Sequence, residues 1–299
     1  MSDRTGLVAA PGGGPVSVRA ALVTRLVVCL VGAAVVGSPG DALAQRVGSG
    51  GVNAVEQRGK PYVVLVSFGG FRWDYQDLFS TPSMDRLAAA GVRAEALVPV
   101  FPTKTFPNHY SVATGQYPGR HGIVGNRFLD PENGAWYSFR DRSSVEDGRW
   151  YGGEPIWVTA ETQGMVSAAF FFVGTEAAVQ GVRPFHWNAF NYDITFEERV
   201  GRVLSWLAEP PATRPHFLTL YFEEPDLTAH PAGPDSPAVA EAVARVDAAL
   251  GRLLDGIDRL PHRDQFYVVI VSDHGLGLVG DVVFVLDQAV DIEGVDVVE

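Results

Sequence analysis

The chain has 299 residues, 46% of them hydrophobic and 19% charged, an ordinary globular composition with apolar material for one large core. A formal net charge of -12 argues against a nucleic-acid duplex as the natural partner. No repeat at solenoid or propeller periods is present.

Residues 19–45 read as a secretory signal. Arg19 and Arg25 supply the basic region, Leu26 to Val36 the apolar run, and Ala42-Leu43-Ala44 a small-x-small cleavage site before Gln45. The run is shorter than the ~20 residues a bilayer span takes. Residues 1–44 are therefore expected to be a signal peptide, and the mature protein to be exported, periplasmic or secreted, with no stable membrane span. A retained anchor is the alternative, and since residues 1–18 are long for a signal's leading region, the true start could lie beyond Met1. The only cysteine, Cys29, lies inside the apolar run, behind a Val28 too large for a lipid-attachment site. The mature chain is thus expected to form no disulfide and to hold any metal through oxygen and imidazole ligands.

Gly-rich, polar residues 45–60 read as a flexible lead-in, and residues 61–299 as one domain. Tyr62 to Phe68 is a near-continuous apolar run, as for a strand buried on both faces. Thr81-Pro82 is expected to cap a helix carrying Met84, Leu87 and Ala88 and ending at Gly91. Ala94 to Val98 is strand-like, and a helix-compatible segment ends near Thr114-Gly115. Residues 126–153 look loop-like and aromatic, suited to the rim of a site. Pro155 to Gln163 is expected to be helical and Ser167 to Val173 a strand. Thr195 and Glu198 form a capping box for a helix to Leu207. His216 to Phe222 is a strand, Ser236-Pro237 opens a long helix with Val239, Val243, Val246, Leu250, Leu254 and Ile257 on one stripe, and Phe266 to Val271 is a strand. This alternation predicts an α/β sandwich with a largely parallel sheet and helices on both faces. Functional groups in such sheets gather beyond the carboxyl ends of strands, and each candidate group below follows an expected strand.

The first candidate stretch is Phe101-Pro-Thr-Lys-Thr-Phe-Pro-Asn108. Its prolines stiffen the backbone around Thr105, and a hydroxyl fixed where a helix begins can act as a nucleophile. The plain alternative is a Pro-rich turn with an N-capping threonine. The second is Glu223-Glu-Pro-Asp226 with His230, and the third Ser272-Asp-His-Gly275. A carboxylate and an imidazole four residues apart, plus an adjacent Asp-His pair, suit Zn²⁺. Singly, these could be a helix cap, a surface histidine and a turn.

Taken in order, Pro102-Thr-Lys-Thr-Phe-Pro-Asn-His-Tyr110, Gly115-Gln-Tyr-Pro118, His121-Gly122, Gly153-Glu-Pro-Ile-Trp157, Phe196-Glu-Glu-Arg199, Glu224-Pro-Asp226 with His230, and Ser272-Asp-His-Gly275 resemble the nucleotide pyrophosphatase/phosphodiesterase family of the alkaline phosphatase superfamily. The likeness runs from about Tyr62 to Glu299. It implies an alkaline-phosphatase-like sandwich, and hydrolysis of phosphodiester or pyrophosphate bonds in a small, nucleotide-like substrate through a covalent threonine intermediate. It implies Thr105 as nucleophile and as ligand of one zinc with Asp273 and His274, and Asp226 and His230 as ligands of a second. Asn126 matches the asparagine that donates to a non-bridging phosphate oxygen. Phe106 and Phe190 match aromatic positions flanking the leaving or nucleotidyl group, with Tyr192 as the alternative to Phe190. Lys104 belongs to the expected substrate-binding set, and His109 reads as structural.

Two departures stand out. Gly69-Gly-Phe-Arg72 occurs where the family has Asp-Gly-Phe-Arg, which would leave the Thr105 zinc one carboxylate short. The chain also stops at Glu299, before the family's last histidine ligand of the other zinc, so a C-terminal truncation of the catalytic domain is expected. Rival expectations are a phosphomonoesterase, phosphonate hydrolase or sulfatase on the same scaffold, and a non-catalytic relative that binds phosphorylated ligands.

Overall fold

A computed structural model describes residues 47–278 of the protein. The expected signal peptide with Cys29, and the end of the chain from 279 to 299, lie outside the described residues. Strands run in chain order as β1 (Tyr62–Phe68), β2 (Arg127–Asp130), β3 (Ala135–Ser138), β4 (Ser167–Phe170), β5 (His186–Trp187), β6 (Phe217–Phe222) and β7 (Phe266–Val271). Helices are α1 (Tyr75–Leu78), α2 (Pro82–Ala90), α3 (Thr105–Thr114), α4 (Pro118–His121), α5 (Arg142–Val145), α6 (Ile156–Thr162), α7 (Phe196–Leu207), α8 (Asp226–Ala232) and α9 (Pro237–Asp258). A parallel sheet has the order β5-β4-β6-β1-β7, and β2 and β3 form a separate antiparallel hairpin. Among the described residues no helix is long and apolar enough to cross a membrane.

Strand β1 is apolar but for Ser67 because it is central and covered on both faces. Val64, Val66 and Phe68 pack with Leu218, Leu220 and the buried stripes of α7 and α9. Leu65 points the other way, into a core with Tyr110 and Ala113 of α3 and Trp157 and Val158 of α6. Helix α7 carries its capping box: Glu198 N–H donates to Thr195 Oγ1 at 3.2 Å, and Thr195 N–H to Glu198 Oε2 at 2.8 Å. The α9 stripe from Val239 to Ile257 is buried as expected.

The structure corrects several expectations. Ala94 to Val98 is not a strand. A strand needs a hydrogen-bonding partner; β7 at the sheet edge pairs only with β1 among the described residues, and Val98 is 84% exposed. Thr105 therefore follows a loop, and only Asp226 and Asp273 stand directly after strands. The strand from Ser167 stops at Phe170, because Phe171 adopts a left-handed φ of 62°. Residues 126–153 contain the β2–β3 hairpin, turned at Asn133-Gly134 and held by Phe128 stacked on Tyr137 at 4.9 Å. Thr81 sits at the α2 N-cap but makes no capping bond; Asp247 of α9 instead accepts from Ser83 N–H and Met84 N–H at 3.0 and 2.9 Å.

Nor is the lead-in loose from residue 47 onward. Buried Asn53 donates to the Pro211 and Arg214 carbonyls at 3.0 and 2.8 Å and accepts from Val166 N–H at 2.7 Å. One side chain thereby satisfies three backbone groups that would otherwise be buried unpaired.

His121-Gly122 also proves to be architecture. Ile123 N–H donates to His121 Nδ1 at 3.2 Å, so Nε2 carries the proton and donates to Ser111 Oγ at 2.9 Å. Burial lowers the His121 pKa to about 4. A depressed histidine contributes stability that is present above the unfolded pKa of ~6.5 and is lost as pH falls towards the folded value. Urea titrations should show wild type losing up to about 3 kcal/mol between pH 7 and 4 through this group. A His121→Gln variant should show a flatter profile across the same window. Parallel profiles would remove His121 as the source.

Candidate active site

Helix α3 begins at Thr105, and Asn108 builds the turn before it. Its Oδ1 accepts from Val100 N–H at 2.7 Å, while Nδ2 donates to the Pro102 and Lys104 carbonyls at 3.2 and 3.0 Å. His109, one turn on, donates from Nδ1 to the Thr105 carbonyl at 2.9 Å. Its Nε2 therefore accepts from Ser67 Oγ at 2.8 Å, tying the turn to β1. The ring is buried, and burial lowers its pKa against the opposing pull of Asp273, whose Oδ2 lies 3.5 Å from Nδ1.

The Phe106 N–H donates to Asn126 Oδ1 at 3.0 Å. That bond fixes the amide, leaving Nδ2 as a donor beside the start of α3. Thr105 Oγ1 lies 3.4 Å from His274 Nε2. Asp273 Oδ1 accepts from the Gly70 and His274 N–H groups, both at 3.0 Å. Its Oδ2 is buried with no hydrogen bond, 3.3 Å from His274 Nε2. Gly70 is required here twice over: its φ is 67°, and a Cβ would lie 2.8 Å from Asp226 Cβ.

Asp226 and His230 share one face of α8, with His230 Nε2 3.5 Å from Asp226 Oδ1. That oxygen is also buried without a hydrogen bond, and burial raises the Asp226 pKa above the ordinary carboxylate range. The preceding motif residues hold α8 in place. Glu223 pairs with buried Arg199, while Glu224 accepts from Thr228 N–H at 3.0 Å and Arg245 at 2.8 Å.

Two orphaned carboxylate oxygens, each beside an imidazole, fit a divalent cation by chemistry. The donor sets are sparse. Among the described residues no three Asp, Glu, His or Cys gather as a group that could hold a metal. Gly69 supplies nothing at its place.

A cavity of about 550 Å³ brings together Thr105, Phe106, Asn126, Phe190, Asp226 and His230. His274 approaches it through Thr105, while Asp273 lines a separate cavity with Ser272 and Asn108. Lys104 is exposed and does not line it, because it is the extended residue before α3. Sequence reasoning missed Phe139, Arg142, Glu176 and Tyr221 on the walls, and Glu223 of the second candidate stretch lines them as well. The aromatic stretch 126–153 hinted at the first two; Glu176, which pairs with Arg142, carried no local signal. Tyr192 stands edge-on to Phe190 at 4.7 Å and is 60% exposed, so it forms the rim and Phe190 the wall.

The profile of the family described as type I phosphodiesterase/nucleotide pyrophosphatase matches residues 63–299. The chain belongs to that family. Within this type I phosphodiesterase/nucleotide pyrophosphatase family, it is 42% identical over 218 residues to ectonucleotide pyrophosphatase/phosphodiesterase family member 1 of Homo sapiens, covering 72% of this chain and 24% of that protein. It is 39% identical over 216 residues to venom phosphodiesterase 2 of Crotalus adamanteus, covering 72% of this chain and 26% of that protein. The chain thus spans about a quarter of the length of these curated relatives. Among solved structures it is similar to murine ectonucleotide pyrophosphatase/phosphodiesterase 5, an inactive variant in complex with AMP, with a TM-score of 0.71 and 32% identity over 78% of this chain and 62% of that one. Mixed α/β architecture around a mostly parallel sheet is common to both.

Proposed function

We propose that this chain carries out metal-dependent hydrolysis of phosphodiester or pyrophosphate bonds in nucleotide-like substrates, with Thr105 as the nucleophile. The observation that carries this is convergence. A helix-starting hydroxyl, an oriented asparagine amide and the Asp226–His230 pair line one aromatic-walled cavity, and His274, beside Asp273, lies 3.4 Å from that hydroxyl. In this reading Thr105 Oγ1 attacks phosphorus at the start of α3, where the helix dipole favours negative charge. Asn126 Nδ2 donates to a non-bridging oxygen, and the rings of Phe106 and Phe190 flank the base or leaving group. Attack forms the Thr105 O–P bond as the leaving-group oxygen departs carrying a proton, and water then cleaves that bond, restoring the threonine hydroxyl and releasing the phosphate monoester. Zinc held by Asp226 and His230, and by Asp273, His274 and Thr105, would acidify the threonine hydroxyl and offset phosphoryl charge. Nucleotide-like substrate is supported by the murine relative's AMP complex. Export is supported by the ecto- and venom enzymes among the relatives; a signal peptide at 1–44 and a catalytic domain over 61–299 belong to the same reading.

The test compares turnover of an aryl phosphodiester with that of an aryl phosphomonoester across a zinc titration. Preference for the diester is the expected result; preference for the monoester would move the chain to the rival class on this scaffold. A second reading, phospho-ligand binding without turnover, is favoured by Gly69, which offers no side chain where the family resemblance expects a carboxylate. Metal content separates the two: about two zincs per chain accord with the enzyme, none with the binder. Asp226→Asn and His230→Ala should each lower zinc content while leaving the melting temperature of the metal-free protein nearly unchanged, because ligand loss acts on binding directly. Unaltered occupancy in both variants would remove them from the site.

A further inference from the structure

Another cavity, of about 280 Å³, lies at the β5 edge of the parallel sheet. Phe185, His186, Trp187 and Asn188 line it from β5 and its flanks, and Arg202 and Trp206 from α7; none of them lines the Thr105 cavity. Side chains alternate across a strand, so four consecutive residues share a cavity only when it sits against the strand's backbone edge. Among the described residues β5 pairs with β4 alone, which leaves that edge with both donors and acceptors to offer.

The walls are fixed by their packing. Phe185 lies on Gly51, where a Cβ would collide with its ring, and its N–H donates to buried Glu161 at 3.1 Å. His186 stacks on Trp206 at 5.3 Å, with Phe185 edge-on to it at 4.8 Å. Arg183 does not line the cavity; it covers a face of Trp187 at 5.0 Å and so holds the indole from behind. The polar groups, by contrast, are left over. Among the described residues the Arg202 guanidinium and the Asn188 amide have no hydrogen-bond partner. Glu209 Oε1 stands 3.9 Å from His186 Nε2, and burial lowers the His186 pKa, so near neutral pH the imidazole brings one donor and one acceptor. Arg183 and Arg202 are offset by Glu161 and Glu209, which leaves little net charge to draw an ion of either sign.

We propose that this cavity binds a neutral saccharide unit. Sugar hydroxyls both donate and accept, as Arg202, Asn188, His186 and the free strand edge together require, and the apolar face of a sugar ring suits the aromatic walls. An anion would only accept, and would meet Glu209 beside His186. The proposal is independent of the reaction at Thr105.

Calorimetric titration of the full chain with maltotriose, cellotriose and triacetylchitotriose tests this, with sodium sulfate as the anionic comparison. At least one trisaccharide should bind wild type, and sulfate should not compete with it. Arg202→Gln and Asn188→Ala should each weaken that sugar about fivefold, the scale of one lost hydrogen bond. Both should leave turnover of an aryl phosphodiester unchanged. Trp187→Ala should weaken the sugar about tenfold and Trp187→Phe less, because the smaller ring keeps part of the aromatic surface. Arg202 is exposed on α7, so its replacement puts no packing at risk. Wild type that binds none of the three sugars overturns the proposal, as does sugar binding that both Arg202→Gln and Asn188→Ala leave unaltered. Sulfate binding that Arg202→Gln abolishes, with no sugar bound, would make this an anion site and overturn it too.

Discussion

In a Thr105→Ala variant, hydrolysis of an aryl phosphodiester is expected to fall by about three orders of magnitude or more, because the covalent route loses its nucleophile. The fold should be retained. Thr105 is half-buried, and its side chain makes one long contact, 3.4 Å to His274 Nε2. The turn is held instead by Asn108 and by the His109 bonds to the Thr105 carbonyl and Ser67, none of which involves the threonine hydroxyl. Unfolding free energy should therefore change by less than about 1 kcal/mol. Thr105→Ser keeps an attacking oxygen at the same place and should retain measurable turnover. The informative comparison is between the two variants at equal zinc content. Alanine retaining wild-type turnover would mean that water attacks directly and the covalent step does not exist. Equal loss in alanine and serine would point to the methyl group positioning the hydroxyl, a packing role that the half-buried site makes testable.

Much of the architecture is legible in the sequence, for identifiable reasons. Tyr62 to Phe68 announces itself because a central parallel strand is covered on both faces and cannot alternate. Helix α7 is readable from Thr195 and Glu198, whose reciprocal bonds are local. What failed depended on partners distant in sequence. Ala94 to Val98 has strand composition, yet no described strand pairs with it. Thr81 has the right type for a cap, but Asp247, 163 residues from Met84, makes the capping bonds. At the site, the Asp226/His230 spacing on one helix is a local signal, as is Asp273-His274. Glu176 and Tyr221 reach the cavity by fold geometry alone.

The Phe196-Glu-Glu-Arg199 motif gives the largest expected effect on stability. Arg199 is fully buried, a state that a guanidinium tolerates only when paired. Nη1 and Nη2 hold Glu223 at 2.6 and 3.1 Å, Nε donates to the Ile194 carbonyl at 3.0 Å, and Nη1 also reaches the Tyr221 carbonyl. Its plane lies 5.0 Å from the Phe171 and Phe196 ring centres. Replacement by methionine fills much of the volume but strands a carboxylate that is only 12% exposed. Desolvation of that unpaired charge outweighs the packing retained, and the expected cost is about 3–5 kcal/mol. For a domain of this size that corresponds to a melting temperature lower by roughly 6–20 °C. Arg199→Lys should recover little, because an ammonium cannot make the forked contact or lie between the two rings. The decisive variant is Arg199→Met combined with Glu223→Leu. It removes both charges together and should regain most of the loss, since the penalty comes from the stranded carboxylate rather than from the missing attraction. Urea unfolding of the four proteins measures this directly. If the double variant is no more stable than Arg199→Met, the bonds to the Ile194 and Tyr221 carbonyls carry the stability instead. Arg199 would then act on the cavity by fixing the β6 backbone behind Tyr221, and AMP affinity in the double variant should fall along with stability.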